Sequence, residues 1–497
     1  MEVLYRSTRG GGGEITASQA ILRGIAPDGG LYVPCQIPVR DLDPRSFVGC
    51  SYQETALRIL RLFLTDFTEE ELKTCVKNAY GAQFDTSVIA PVREAMGVHY
   101  LELYHGPTIA FKDMALQLLP HLMTTAARKN GSSEEIVILT ATSGDTGKAA
   151  LEGFAGVPGT RIVVFYPKDG VSPIQELQMV TTEGDNTCVI GIDGNFDDAQ
   201  NGVKKIFTDE RVRERLRQAG FVFSSANSIN IGRLVPQIVY YVYGYASLLA
   251  SGQIADGEKI NIAVPTGNFG NILAAWYAMQ IGLPVGRLIC ASNENKVLFD
   301  FFGSGVYDRN RPFILTSSPS MDILISSNLE RLIYHISGED PKVDSALMAR
   351  LASEGRYEIT DAMRQGLQSF TGGYADEQET LEEIRRVYDG AGYLMDTHTA
   401  VASAVCRKYR EQTSDPAKIL LASTASPYKF PRAVMTALGE ETEGLDDLAL
   451  TRKMHEISGT QIPAAVQKLL DGAPVRHERK CSAGEMEQAV LEFLSIR

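Results

Sequence analysis

His105-Gly-Pro-Thr-Ile-Ala-Phe-Lys112-Asp113 sets a lysine between an apolar approach and the start of a helix. Ahead of it, residues 98–104 read as a strand and Gly106-Pro107 as a turn. Behind it, Met114-Ala-Leu-Gln-Leu-Leu opens a helix with Asp113 in its first turn, where a negative charge is favoured. Flanked by Ala110, Phe111 and Met114, the Lys112 amine is poorly hydrated. Poor hydration favours the neutral form, a nucleophile towards carbonyl carbon. The competing reading is an exposed lysine in the first turn of a surface helix, which burial statistics favour for an arbitrary lysine.

Outward from this segment the chain alternates short β-branched runs with helical patterns. Residues 136–139, 161–166, 187–192 and 259–264 read as strands, each followed by a loop and an amphipathic helix. Such alternation predicts an α/β fold of parallel sheets covered by helices on both faces, with ligands beyond the carboxyl ends of the strands.

Two loops fall at those ends. Ala141-Thr-Ser-Gly-Asp-Thr-Gly147 offers tight-turning glycines, hydroxyls and helix-start amides, the makings of an anion site. It fails as a nucleotide P-loop, because Thr142 stands where the first glycine is required and Ala149 follows Lys148. Pro265-Thr-Gly-Asn-Phe-Gly-Asn271 lies between the strand at 259–264 and a helix predicted over 272–281, a phosphate cradle of backbone N–H groups. Ser225-Ala-Asn-Ser-Ile-Asn-Ile-Gly-Arg233 gathers hydroxyls and amides with one arginine at the mouth of a helix. Arginine suits bidentate phosphate recognition; a helix cap at Ser228 or Asn230 is the structural alternative and is compatible with it. A last buried run, residues 419–422, ends in Ser423-Thr424.

Together these phrases resemble the threonine synthases, a branch of the fold-type II pyridoxal-phosphate (PLP) enzymes. The likeness begins with Ala26-Pro-Asp-Gly-Gly-Leu-Tyr-Val-Pro34 and continues through the lysine segment, both glycine loops, Val171-Ser-Pro-Ile-Gln-Glu, Asp193-Gly-Asn-Phe-Asp-Asp, and residues 318–331. It implies a tryptophan synthase β-like fold: a small N-terminal domain over residues 1–90, a PLP-binding core of two parallel-sheet α/β subdomains over 91–440, and a helical extension over 441–497. It implies Lys112 as the lysine that holds PLP, Gly267, Asn268, Phe269, Gly270 and Asn271 on the cofactor phosphate, and Thr424 at the pyridine nitrogen. It implies Thr142, Ser143, Asp145 and Thr146 at the substrate carboxylate, and Asn227, Ser228, Asn230 and Arg233 at the substrate phosphate. The sequence departs from the family's "TAHPAKF" wording with Ser426 for His and Tyr428 for Ala. His398, in Asp396-Thr-His-Thr-Ala-Val401, reads as a helix-start histidine with a structural hydrogen bond.

The reaction implied converts O-phospho-L-homoserine and water to L-threonine and phosphate. A phospholyase giving 2-oxobutyrate from the same pocket, or a PLP-binding protein without activity, are the alternatives. Composition is that of an ordinary soluble globular protein, 44% hydrophobic and 22% charged, and 497 residues suggest several domains. The formal charge of −13 argues against a nucleic-acid surface, since no basic block offsets it. Seven cysteines without a C-x-x-C pair indicate neither a metal site nor a disulfide framework. No run is long enough for a membrane span and no leader pattern opens the chain, so the expected setting is the cytoplasm, as monomer or homodimer.

Overall fold

The computed structural model describes residues 2–38, 41–142, 144–168 and 170–496. Its main body is two sheets. The larger runs Phe370–Tyr374, Val285–Ser292, Ile260–Pro265, Ile419–Ser423, Val98–Glu102 and Val92–Ala95 in spatial order. All neighbours are parallel except the edge strand Val92–Ala95, which pairs antiparallel with Val98–Glu102. The smaller sheet, Lys480–Ser482, Thr187–Asp193, Thr160–Pro167, Glu135–Ala141 and Phe221–Ser224, is parallel throughout. Its central strands, and Ile260–Pro265 and Ile419–Ser423 in the larger sheet, are buried along nearly their whole length. Strands covered on both faces read as unbroken apolar runs, and these do.

The N-terminal region forms the helices Tyr52–Phe63 and Glu69–Ala79, each opened by a capping box, Ser51 with Glu54 and Thr68 with Glu71. They are joined by a two-stranded antiparallel pair, Tyr5–Ser7 with Tyr32–Pro34. At the centre lies the 20-residue helix Ile231–Ala250, buried nearly all round. It packs against Tyr52–Phe63, against Gly270–Gln280 and against the short helix Asp113–Leu116 that follows Lys112. One continuous apolar core takes in side chains from Val3 to Ala422 and covers facing sides of both sheets.

The C-terminal stretch forms the helices Asp447–Ser458, Ala464–Leu470 and Met486–Phe493. In this stretch the sequence reading named helices only. Lys480–Ser482 is a strand on the edge of the smaller sheet, in register with Gly191, Ile192 and Asp193. Leu450 and Met454 pack in the core of the larger sheet, Cys481, Met486 and Val490 in that of the smaller, so the tail ties the two together. Three residues carry too little periodicity to reveal a strand; only the neighbouring edge creates it. Among the described residues no helix is long and apolar enough to cross a membrane.

Candidate active site

The lysine loop is held by backbone pairing to a distant segment. Ala110 bridges Ala425, the Phe111 N–H donates to the Thr424 carbonyl at 2.8 Å, and the Ser426 N–H donates to the Ile109 carbonyl at 3.0 Å. Lys112 and Thr424 are thereby brought to one wall. Asp113, in the first turn as expected, is fully buried, accepting from the Thr108 N–H at 2.8 Å and the Thr108 hydroxyl at 2.6 Å. Burial pushes its carboxyl up to about 6. It fastens the turn before Lys112.

Lys112 opens into a cavity of about 390 Å³ at the carboxyl ends of the parallel strands. Burial pulls its ammonium below the ordinary lysine range, against the opposing pull of Asp145. The amine's immediate partners are polar, Asp145 Oδ2 at 3.3 Å and Ser320 Oγ at 3.2 Å, where the flanking sequence pointed to apolar contacts. Asp145 accepts on both oxygens: Oδ2 also takes the Ser320 hydroxyl at 2.7 Å, while Oδ1 takes Gln175 Nε2 and Lys429 Nζ, each at 3.1 Å. Burial raises the Asp145 carboxyl most strongly of any single effect, yet Lys429, Lys112 and Ser320 together hold it well below the usual carboxylate range. Asp145 is thus an anion facing cations, and a substrate carboxylate beside it would be repelled.

Thr142 lines the cavity, but its hydroxyl is taken up within its own loop. Its hydroxyl accepts from the N–H groups of Gly144 and Gly147 at 2.9 and 3.0 Å and donates to the Gly144 carbonyl at 3.0 Å, so it shapes its own loop. Thr146 lines the cavity, and Ser143 lies outside the described residues. Lys148, beyond the loop, points away from the cavity into Glu152, the Gln178 carbonyl and Thr182 Oγ1.

The cradle at 265–271 has the expected strand, loop and helix, the helix starting at Gly270 rather than 272. Phe269 takes a left-handed conformation, φ 65°, one a non-glycine residue adopts at a cost and one that turns successive N–H groups toward one point. At Gly267 a Cβ would stand 2.6 Å from the Ser320 carbonyl oxygen, so only glycine lets the loop and residue 320 approach so closely. Asn271 is 7% exposed, its Oδ1 accepting from Tyr240 and Tyr241, each at 2.5 Å. Among the described residues its Nδ2 has no partner.

Arg233 lies in the first turn of Ile231–Ala250, where the helix dipole disfavours a cation. It is 4% exposed; among the described residues its only hydrogen bond runs from Nη1 to the Ala226 carbonyl at 3.1 Å, and its Nε is buried without a partner. Burial pulls its guanidinium down to about 10. Arg331 is equally buried but fully engaged, by Tyr32 O at 2.9 Å, Ile229 O at 2.5 Å and Asn328 Oδ1. Asn227 and Ser228 line the cavity with Arg233. Asn230 does not line it: its side chain caps the helix, accepting from the Gly232 N–H at 2.8 Å and donating to Ile21 O and Ser225 O, each at 2.9 Å.

Residues 318–331, to which sequence alone assigned no role, join these parts. Ser320 meets Lys112 and Asp145, Ser326 donates to the Gly267 carbonyl at 2.6 Å, and Asn328 Nδ2 donates to the carbonyls of Asn268 at 3.0 Å and Ser228 at 3.3 Å. His398 also lines the cavity. Its Nε2 accepts from the Ser320 N–H at 3.1 Å and its Nδ1 faces Asp396 at 2.7 Å. A backbone N–H needs a ring lone pair, which sets the ring proton on Nδ1 and makes His398 a support for Ser320. Sequence reading missed Ser320, Gln175, Gln237 and Lys429; for Lys429 the signal was a lysine inside the otherwise buried run from 419 to 430.

A desolvated lysine, a glycine cradle with an orphaned amide donor, and a hydroxyl residue, Thr424, 5% exposed on the facing strand end, fit the aldehyde, phosphate and ring of PLP. Residues 94–425 match the family described as pyridoxal-phosphate dependent enzyme. Fold and site define a PLP-dependent enzyme. Residues 4–80 match the threonine synthase N terminus and 399–476 the threonine synthase C-terminal family. The chain belongs to the threonine synthase family. It is 39% identical to threonine synthase of Pseudomonas aeruginosa, covering 87% of this chain and 90% of that one. It is 41% identical to human threonine synthase-like 1, covering 85% of this chain and 58% of the relative's length. The solved structure of PLP-bound threonine synthase from Brucella melitensis superposes with a TM-score of 0.88 at 36% identity, and that of yeast threonine synthase with 0.88 at 31%; each comparison covers 99% of both chains.

The Gly267 contact gives a direct test. Gly267→Ala is expected to weaken PLP binding roughly 10- to 100-fold, the equivalent of about 1–3 kcal/mol for overpacking, because the atom met at 2.6 Å, the Ser320 carbonyl oxygen, belongs to the backbone and cannot swing aside. Gly303→Ala, whose Cβ meets nothing within 4 Å, is the control. Cofactor titration followed by absorbance reads both; equal affinities would show that the cradle does not hold the phosphate.

Proposed function

We propose that the protein converts O-phospho-L-homoserine and water to L-threonine and phosphate. The observation that carries this reading is Arg233: a buried guanidinium without a counter-ion among the described residues, at a helix N-terminus, opening on the cavity that holds Lys112. Burying an unpaired charge is costly, and an anionic ligand removes the cost. With the cofactor phosphate assigned to residues 267–271, Arg233, Asn227 and Ser228 remain for a second phosphate, the substrate's. The substrate carboxylate is assigned to Thr146 and the helix-start amides of its loop, with Asp145 turned to the lysines and Asn230 a positioning residue for the segment.

PLP, when bound, supplies the electron sink that lets a proton leave the substrate's Cα. The rest falls to the chain. Lys112 Nζ, once freed, is the base that moves protons at Cα and Cβ, held by Asp145 and Ser320. Arg233 holds the phosphate as it leaves Cγ and keeps its developing charge neutralised while water adds at Cβ. Thr424 is the neutral partner for the ring nitrogen. Incubation of the PLP-loaded protein with O-phospho-L-homoserine should release phosphate and threonine in equal amounts. Phosphate with 2-oxobutyrate and ammonia would identify a phospholyase instead, and no phosphate release would exclude both.

A further inference from the structure

Lys429 lies outside the cavity lining, yet its side chain is 1% exposed and its Nζ is fixed between Asp145 Oδ1 at 3.1 Å and the Thr108 carbonyl at 3.0 Å. Asp145 therefore stands between two lysines, Lys112 on one oxygen and Lys429 on the other. Only one of them reaches the cavity. The asymmetry matters because Lys112 changes charge during catalysis and Lys429, sealed away from substrate, has no reacting group to meet.

We propose that Lys429 is a positioning residue for Lys112, supplying the counter-charge that Asp145 requires whenever the Lys112 nitrogen becomes neutral. This rests on the reading of Lys112 as the cofactor lysine and base. With Lys112 charged, Asp145 has a partner in it. With Lys112 neutral, a carboxylate 9% exposed would, without Lys429, be left with the Gln175 amide, the Ser320 hydroxyl and the His398 ring. A buried carboxylate so placed keeps a proton in its vicinity, on itself or on the nearby amine. The pair Asp145–Lys112 alone would hold on to its proton, and the base would stay occupied at neutral pH. Lys429 removes that need. The other charged groups do not replace it: Arg233 acts on Lys112 as a further cation, while Lys429 itself is faced by Asp113 and Lys148, the latter engaged with Glu152.

Two variants should move one observable in opposite directions. The observable is the pH at which the visible absorption of the bound cofactor changes, which reports proton loss at the Lys112 nitrogen. Lys429→Met takes a cation from the cluster, so the midpoint should rise by roughly one pH unit or more, the scale of a close charge partner. The acid limb of kcat should rise with it, since activity needs the proton-free amine. Asp145→Asn takes away the anion and leaves the nitrogen facing Lys429 and Arg233, so its midpoint should fall. Lys429→Arg keeps the charge and should stay near the wild-type midpoint. A purely structural Lys429 has no reason to give opposite shifts. An unchanged or lowered midpoint in Lys429→Met overturns the proposal, as does an unchanged or raised one in Asp145→Asn, which decides the matter if Lys429→Met does not fold. A wild-type protein showing no cofactor absorption tied to Lys112 would overturn the cofactor-lysine reading and this proposal with it.

Discussion

Lys112→Ala is expected to lower kcat by roughly 10³-fold or more while the fold stays intact, since both the attachment point and the general base are lost. The wild-type protein should absorb in the near-violet, and borohydride reduction should fix the cofactor to the peptide containing residue 112. The variant should show the spectrum of free cofactor. Neither neighbouring lysine can take over. Lys148 is engaged by Glu152, by the Gln178 carbonyl at 2.5 Å and by Thr182 at 2.9 Å, and Lys429 by Thr108 and Asp145. The fold should tolerate the change, because Lys112 makes no side-chain cap to its helix and Asp145 keeps Lys429 as a partner. Label on residue 148 or 429, or residual turnover in the alanine variant, would show that the wrong lysine has been chosen.

The second large effect is at Arg233. Arg233→Leu should reduce kcat/KM for O-phospho-L-homoserine by a factor corresponding to about 1.5–3 kcal/mol, the worth of hydrogen bonds to a charged group, while PLP affinity changes far less. The same substitution should not destabilise the ligand-free protein. It removes a guanidinium that burial disfavours, that makes one hydrogen bond and that sits at the wrong end of the helix dipole. Thermal unfolding without ligand is therefore expected at an unchanged or higher temperature. Arg331→Leu offers the contrast: it should destabilise the protein clearly, because the donors it removes are engaged by Tyr32, Ile229 and Asn328. A fall in stability at Arg233 with intact phosphate use would mark it as structural, and equal losses of PLP and substrate would mean that the two phosphate sites have been interchanged.

How much of this was legible follows from the range over which each signal acts. The strands at 136–139, 161–166, 187–192, 259–264 and 419–422 and the two strand–loop–helix cradles lie within short windows, where periodicity and glycine geometry operate. A parallel strand buried on both faces announces itself by an unbroken apolar run, so the α/β body was open to reading. The strand Lys480–Ser482 was not, since three residues become a strand only when an edge is there to receive them.

The site divides in the same way. Sequence by itself determined which residue types stand at the ends of the strands: the lysine after Gly106-Pro107, the glycines of 267–271, the arginine at a helix mouth and the threonine after a buried strand. Tertiary structure decided what each of them faces. It turned Asp145 from a substrate contact into the shared anion of Lys112 and Lys429, closed the Thr142 hydroxyl into its own loop, turned Asn230 into a cap, and brought Ser320 and His398 to the lysine from more than two hundred residues along the chain. The physical reason is that hydrogen-bond partnership and desolvation are set by what lies within a few ångströms in space, and neither distance nor burial is written in the spacing of residues along the chain.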